Sequence, residues 1–98
     1  MEYEILRLPK GKSAVIGKIV QDDLISRQTI AVRDSVSLGL EGEDTLILIE
    51  GAEDALSKLK EIVGEEGTLI QGDERSLIYR KIKEDEDNVA EGLGLMFG

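Results

Sequence analysis

Apolar residues in the middle of the chain form a pattern that predicts a buried strand followed by an amphipathic helix. Residues 45–49 show no polar face before Glu50, which is typical of a central strand covered on both sides. In residues 52–63 the apolar positions fall at offsets 0, 3, 4, 7, 10 and 11, so they form one stripe along a helix. Gly64 follows the stripe as a natural C-cap, and we predict a helix over 52–63 that packs on the strand.

The other segments alternate apolar and polar residues over short stretches, a pattern that indicates strands joined by turns. We predict strands at 2–8, 14–20, 29–33, 68–70 and 76–82, turns at 9–12 and 72–75, and a half-buried strand or extended segment at 35–40. This order predicts one α+β domain, residues 1–98, with a largely antiparallel sheet, one long helix on a face and a weak C-terminal helix or tail.

The composition removes several kinds of chemistry, because the chain contains no Cys and no His. A disulfide framework, a thiolate metal site, the usual zinc ligand and every Ser–His or Cys–His dyad are excluded within these 98 residues. An enzyme built on this chain would need a carboxylate pair or a bound Mg²⁺. We therefore favour a binding role over an enzymatic one.

The net charge of −9 indicates which partners are compatible with the chain. The excess lies mostly in the second half, where 13 acidic residues face 6 basic ones from Glu50 onward. Nucleic acids and anionic membrane surfaces would be repelled, whereas a divalent cation or a basic protein surface is compatible. The alternative is that the acidity only keeps a small domain soluble.

The first residues and the apolar runs indicate a cytoplasmic protein. Glu2 and Glu4 stand where a signal peptide would be basic, and no apolar run approaches the length of a membrane span. Abundant Glu and Lys, no Cys and a single Asn, Asn88, fit a heat-adapted source.

Two glycine-containing segments suggest nucleotide sites, but neither has the spacing that such a site requires. Gly11-Lys12-Ser13 would complete a phosphate-binding P-loop only with a Gly at position 6, where Leu6 stands, and with a helix where we predict the strand 14–20. Gly92-Leu93-Gly94 lacks the third Gly of a dinucleotide fingerprint, since Phe97 occupies that place. We interpret the first segment as a hairpin turn and the second as no nucleotide site.

The acidic clusters are the candidates for chemistry, because hard cations such as Ca²⁺ take several carboxylate and carbonyl oxygens. We predict an irregular calcium site at Asp22, Asp23 and Asp34, on the expectation that the segment between them folds back. An EF-hand is excluded, since a loop that starts at Asp85 has Ala90 at the required Gly. For each cluster the alternative is solvated surface.

The C-terminal residues 93–97 are apolar, which leaves two interpretations open. The tail either tucks into the core of its own domain or docks on a partner or a second copy of the chain.

Three segments have a character of their own: Ile19-Val20-Gln21-Asp22-Asp23-Leu24, the turn Gly39-Leu40-Glu41-Gly42 and the helix start Gly51-Ala52-Glu53-Asp54-Ala55-Leu56. With these segments the chain resembles small acidic proteins of unknown function from methanogenic archaea. The resemblance covers most of the length and implies an archaeal cytoplasmic α+β domain with an acidic surface and affinity for divalent cations. It supplies no catalytic residues.

These observations lead to two main hypotheses. The first is a non-enzymatic acidic binding module that holds a divalent cation, calcium first, at Asp22, Asp23 and Asp34. The alternative is an interaction subunit that docks a basic partner or self-associates through its apolar C-terminal tail.

Overall fold

Two strand–helix–strand units form most of the chain, and the two strands of each unit run parallel to each other in the sheet. The computed structural model describes residues 2–97, with side chains described for 2–12 and 14–86. The elements are β1 (Glu2–Leu8), α1 (Ser13–Gln21), β2 (Thr29–Asp34), β3 (Thr45–Gly51), α2 (Glu53–Val63), β4 (Thr68–Leu69) and α3 (Gly72–Phe97). Two short 3₁₀ turns, Ile25–Arg27 and Val36–Leu38, precede and follow β2.

The four strands form one antiparallel sheet in the order β2-β3-β1-β4. This order, with the connections β1-α1-β2 and β3-α2-β4, is the β-α-β-β-α-β arrangement called ferredoxin-like. The register places Leu8, Thr45 and Asp34 side by side at one end of the sheet, which we call the Thr45 end. Tyr3, Glu50 and Thr29 lie side by side at the other end, the Glu50 end.

Helices cover both faces of the sheet, and each face has its own apolar cluster. On one face α1 and α2 pack on alternate residues of β1 and β3; the cluster contains Leu6, Leu8, Val15, Ile19, Ile25, Ile47, Ile49, Leu56, Leu59 and Val63. On the other face α3 packs on the intervening residues; the cluster contains Ile5, Ala31, Leu38, Leu46, Leu48, Ile70, Ile78 and Ile82. The predicted α+β class, the antiparallel sheet and the central position of β3 are confirmed.

The prediction of a strand at 14–20 was wrong, because this segment forms α1. Its β-branched residues favour strands in isolation, but Val15 and Ile19 also stand at i,i+4 spacing and both are buried. In the folded chain Val15 and Ile19 pack on the face of the sheet, in one apolar cluster with Leu6 and Ile47, and not beside the edge of β1. Packing on the sheet face therefore overrides the local strand preference.

Two further strand predictions were wrong for related reasons. Residues 72–82, predicted as a turn and a strand, begin α3, in which Ile78 and Ile82 face the sheet one helical turn apart. The segment 35–40 forms the Val36–Leu38 turn, closed by Gly39 at a φ of 74°. The expectation of one long helix is corrected as well, since α3 has 26 residues and α2 only 11.

The weak C-terminal helix or tail predicted at 89–98 is part of α3 as far as Phe97. The side chains at 93–97 lie outside the described residues. Whether they tuck into the core or dock on a partner therefore stays open.

Candidate functional site

A cavity of about 370 Å³ opens at the Thr45 end of the sheet, between the loop after β1 and the segment that enters β3. We call it the cleft. Its apolar lining comes from β1, α1 and the turn after β2, and its charged lining comes from loops and from Asp34 at the end of β2. The lining residues are Leu8, Pro9, Lys10, Gly11, Lys12, Ile16, Asp34, Val36, Glu43, Asp44 and Thr45.

One wall of the cleft is the short connection from β1 to α1. The Lys12 amide donates to the Pro9 carbonyl at 3.2 Å, and Gly11 adopts a φ of 96°, which favours glycine. A helix does follow Gly11-Lys12-Ser13, so that objection to a P-loop was wrong. The other objection stands, because Leu6 lies within β1, fully buried, where the P-loop pattern needs its first Gly.

The opposite wall is the loop from β2 to β3, which hydrogen bonds of Ser35 close at its base. The buried Ser35 donates to the Asp44 carbonyl from its amide at 2.9 Å and from its hydroxyl at 2.8 Å. Its own carbonyl accepts from the Leu40 amide at 3.0 Å. These hydrogen bonds tie Ser35 to Asp44, so the loop holds both Val36 and Asp44 in the lining of the cleft.

Charges of both signs surround the cleft, and most of them are paired. Lys10 contacts Glu43 at 3.4 Å across the mouth, and Arg7 Nε lies 3.5 Å from Asp44 Oδ2. Among the described side chains, none of the ion pairs involves Asp34 or Lys12. Val36 is 70% exposed beside them, an unusual position for a large apolar side chain. The cleft thus combines an apolar wall with two charges that are free to contact a ligand.

The three residues of the predicted calcium site lie at different ends of the molecule. Asp34 lines the cleft, whereas Asp22 and Asp23 follow α1, near the Glu50 end. Asp22 Oδ1 accepts from the amides of Leu24 at 3.0 Å and Ile25 at 3.1 Å, so this carboxylate caps the Ile25–Arg27 turn. Asp23 faces Arg27 at 3.5 Å.

The distance between these carboxylates limits what one ion can contact. β2 has six residues, and at ~3.3 Å per residue its two ends lie roughly 17 Å apart. In the part of the chain that the structure describes, no group of three or more acidic side chains could hold a metal ion. Calcium binding at Asp22, Asp23 and Asp34 stays a prediction, and Asp34 would act apart from the other two.

A second polar cluster, which the sequence interpretation missed, lies under α3 at the Glu50 end. Glu50, only 9% exposed on β3, accepts hydrogen bonds from Tyr79 Oη at 3.0 Å and from Lys83 Nζ. The hydrogen bond to Glu50 raises the pKa of Tyr79, and burial adds to this shift. The hydrogen bond to Glu50 also raises the pKa of Lys83, against the opposing effect of burial.

Aromatic and cationic side chains extend the cluster along α3. The Tyr3 and Tyr79 ring centroids are 4.2 Å apart, and the Arg75 guanidinium lies 4.1 Å from the Tyr3 centroid. Positions 75, 79 and 83 share one face of a helix, so their spacing could have revealed the cluster if the segment had been interpreted as helical. We interpret the cluster as the attachment of α3 to the sheet.

None of the helices within residues 2–97 is long and apolar enough to cross a membrane.

Three comparisons with known proteins give no match to the chain. No family model matches the chain, and no curated protein or solved structure shows a significant similarity to it. The resemblance to small acidic proteins of methanogenic archaea stays a prediction.

Proposed function

We propose that this chain is a non-enzymatic binding module whose cleft takes up a small organic cation with an apolar part. The main support is the position of Asp34, a carboxylate without an ion pair among the described side chains, in a cavity that Ile16 and Val36 also line. Small-molecule sites combine apolar walls with a few placed polar groups, and a volume of about 370 Å³ lies within their range.

The charge balance favours a positive ligand group. Glu43 and Asp44 engage Lys10 and Arg7 only through contacts of 3.4 and 3.5 Å, longer than a good charge-assisted hydrogen bond. An ammonium group beside Asp34 would therefore meet one free carboxylate and two that are weakly held. The net charge of −9 adds a favourable long-range field for a cation.

The apolar lining favours an organic cation over a bare metal ion. Ca²⁺ requires about six to eight oxygen ligands, and the described side chains offer no group of three acids that could hold it. Val36 gains nothing from a hydrated metal ion but would lose exposed apolar surface on contact with an alkyl chain.

Three probes that share an isobutyl group and differ in the charged group attached to it test the proposal by amide chemical shifts of the ¹⁵N-labelled protein. They are 3-methylbutylamine, leucine and 3-methylbutanoate, which carry the same branched chain with an ammonium, a zwitterion or a carboxylate. We expect the amine to bind best, with a dissociation constant of about 1 mM for so small a molecule, and to shift amides around Asp34 and Val36. The carboxylate should bind least.

A pair of matched variants locates the contact. Asp34→Asn should weaken amine binding about fivefold or more, because it removes the free carboxylate. Asp23→Asn makes the same chemical change and the same change in net charge near the opposite end, so it should leave binding unaltered. Preferred binding of the carboxylate would make Lys12 the anchor and overturn the proposal, as would equal effects of the two variants.

A further inference from the structure

We propose that occupancy of the cleft is linked to the docking of α3 on its face of the sheet, so that a bound organic cation stabilises the docked position of α3. This inference rests on the proposed function, because it concerns the regulation of the same site. Linkage of this kind requires a two-state element that both sites bias, and α3, docked or released, is that element.

α3 is held to the sheet by few apolar side chains and by several ion pairs. Ile78 and Ile82 are the buried apolar anchors among its described residues, and Leu77 is 42% exposed. The polar contacts are Arg7–Glu74, Arg33–Asp85, Arg75–Tyr3, Arg75–Glu4, Tyr79–Glu50 and Lys83–Glu50. The docking equilibrium of α3 therefore depends on charges in the strands and loops beneath it.

Arg7 connects the cleft to α3 directly, because its guanidinium is shared between two carboxylates. Nη2 donates to Glu74 of α3, while Nε lies 3.5 Å from Asp44 Oδ2 of the cleft. Nε is buried and makes no hydrogen bond, so the contact with Asp44 leaves this donor unsatisfied. An ammonium that pairs with Asp44 would release Arg7 to bind Glu74 alone.

The Val36–Leu38 turn connects the same two places by packing. Val36 lines the cleft, and Leu38, two residues later, is buried with Ile78 and Ile82 in the apolar cluster under α3. Next to the turn, Arg33 donates to Asp85 of α3 at 2.7 Å while the adjacent Asp34 lines the cleft. A ligand that packs on Val36 and pairs with Asp34 thus contacts the neighbours of two groups that hold α3, which are Leu38 in the apolar cluster and Arg33 in the ion pair with Asp85.

Hydrogen exchange and binding measure the linkage from its two sides. Saturation with 3-methylbutylamine should slow amide exchange at residues 78–82 about two- to fivefold, the range expected for partly exposed ion pairs. Reciprocally, Glu74→Gln leaves Arg7 with Asp44 as its only acidic partner among the described side chains, so amine affinity should fall by a similar two- to fivefold. The control is Glu84→Gln, an exposed α3 carboxylate with no ion pair among the described side chains.

The outcomes separate the linkage from the proposed function. If the amine binds and Asp34→Asn weakens it, but exchange at 78–82 is unchanged and Glu74→Gln equals Glu84→Gln, the linkage is refuted and the binding function remains. Absence of amine binding to the wild-type chain refutes both.

Discussion

The buried carboxylate of Glu50 provides a sharp test of how α3 is held, and the informative change is Lys83→Met. Methionine keeps the length and much of the apolar stem of lysine but removes the cation. Glu50 would retain its hydrogen bond from Tyr79 and lose its only cationic partner among the described side chains. The variant would therefore leave a nearly buried negative charge without a counter-charge.

The expected cost follows from the exposure of the two side chains. Breaking a fully buried ion pair from one side costs about 3–5 kcal/mol, whereas an exposed pair contributes about 0.2–1 kcal/mol. The Glu50 side chain is 11% exposed and that of Lys83 is 34% exposed, so water screens the pair in part. We expect a loss of about 1–3 kcal/mol in the free energy of unfolding.

Urea denaturation followed by circular dichroism measures this loss, and a double-mutant cycle assigns it. For a chain of this size the midpoint should fall by about 1–2 M urea. Glu50→Gln removes the buried charge, so the double variant Glu50→Gln/Lys83→Met should be more stable than Lys83→Met alone. Lys81→Met is the control, because Lys81 lies on the same helix and makes no ion pair among the described side chains. Equal stability of Lys83→Met and Lys81→Met, or strict additivity in the cycle, would refute the reasoning.

Three further predictions follow from the same contacts. The pKa values of Tyr79 and Lys83 are raised above their ordinary values of 10.0 and 10.5, so the stability that these two groups contribute is complete below about pH 10 and is lost as the pH rises through the folded-state pKa values. Urea midpoints should therefore be level between pH 7 and 9 and should fall above pH 10. Tyr79→Phe should make that fall less steep. Gly67→Ala should lower the free energy of unfolding by about 1–3 kcal/mol, because the new Cβ would lie 2.8 Å from Leu6 Cδ1 and Leu8 Cδ2. Gly17→Ala in α1 meets nothing within 4 Å and should raise the free energy of unfolding by about 0.5–1 kcal/mol. Thermal melts of the two variants test this, and equal melting temperatures would contradict the packing at Gly67. Titration with CaCl₂ should give separate amide responses near Asp22–Asp23 and near Asp34, and one common saturation curve for all three would show that the ends of β2 do not keep them apart.

The β3–α2 unit could be predicted from the sequence because the pattern of apolar residues within each element shows which of them are buried. The apolar stripe and the C-terminal Gly64 of α2 are both local signals, and the helix observed at Glu53–Val63 differs from the prediction by one residue. The local sequence of α1 does not distinguish a helix from a strand, since β-branched residues spaced at i,i+4 suit both. What decides is the packing of Val15 and Ile19 on the face of the sheet against residues distant in sequence, which no local pattern contains.

The cleft could be predicted only in part, because three separate segments assemble it. Asp34 was singled out as a ligand candidate, and its grouping with Asp22 and Asp23 rested on the expectation that the segment between them folds back. The sheet register instead brings Asp34 to Thr45 and Leu8, from which the flanking loops continue. The Asp22 carboxylate also accepts hydrogen bonds from the amides of Leu24 and Ile25, so its Oδ1 is already engaged within the chain.

The coverage of the faces and edges of the sheet explains why a binding site would form at its Thr45 end. Helices cover both faces, and each sheet edge carries an arginine that donates to an outward-facing strand carbonyl. Arg33 Nη1 binds the Val32 carbonyl at 2.9 Å on β2, and Arg75 binds the Tyr3 carbonyl where β1 extends past the two-residue β4. Such contacts hinder the addition of another strand. With faces covered and edges blocked, the loops at the strand ends are where this fold can present apolar surface and free charge together, and the cleft with Val36 and Asp34 is such a place.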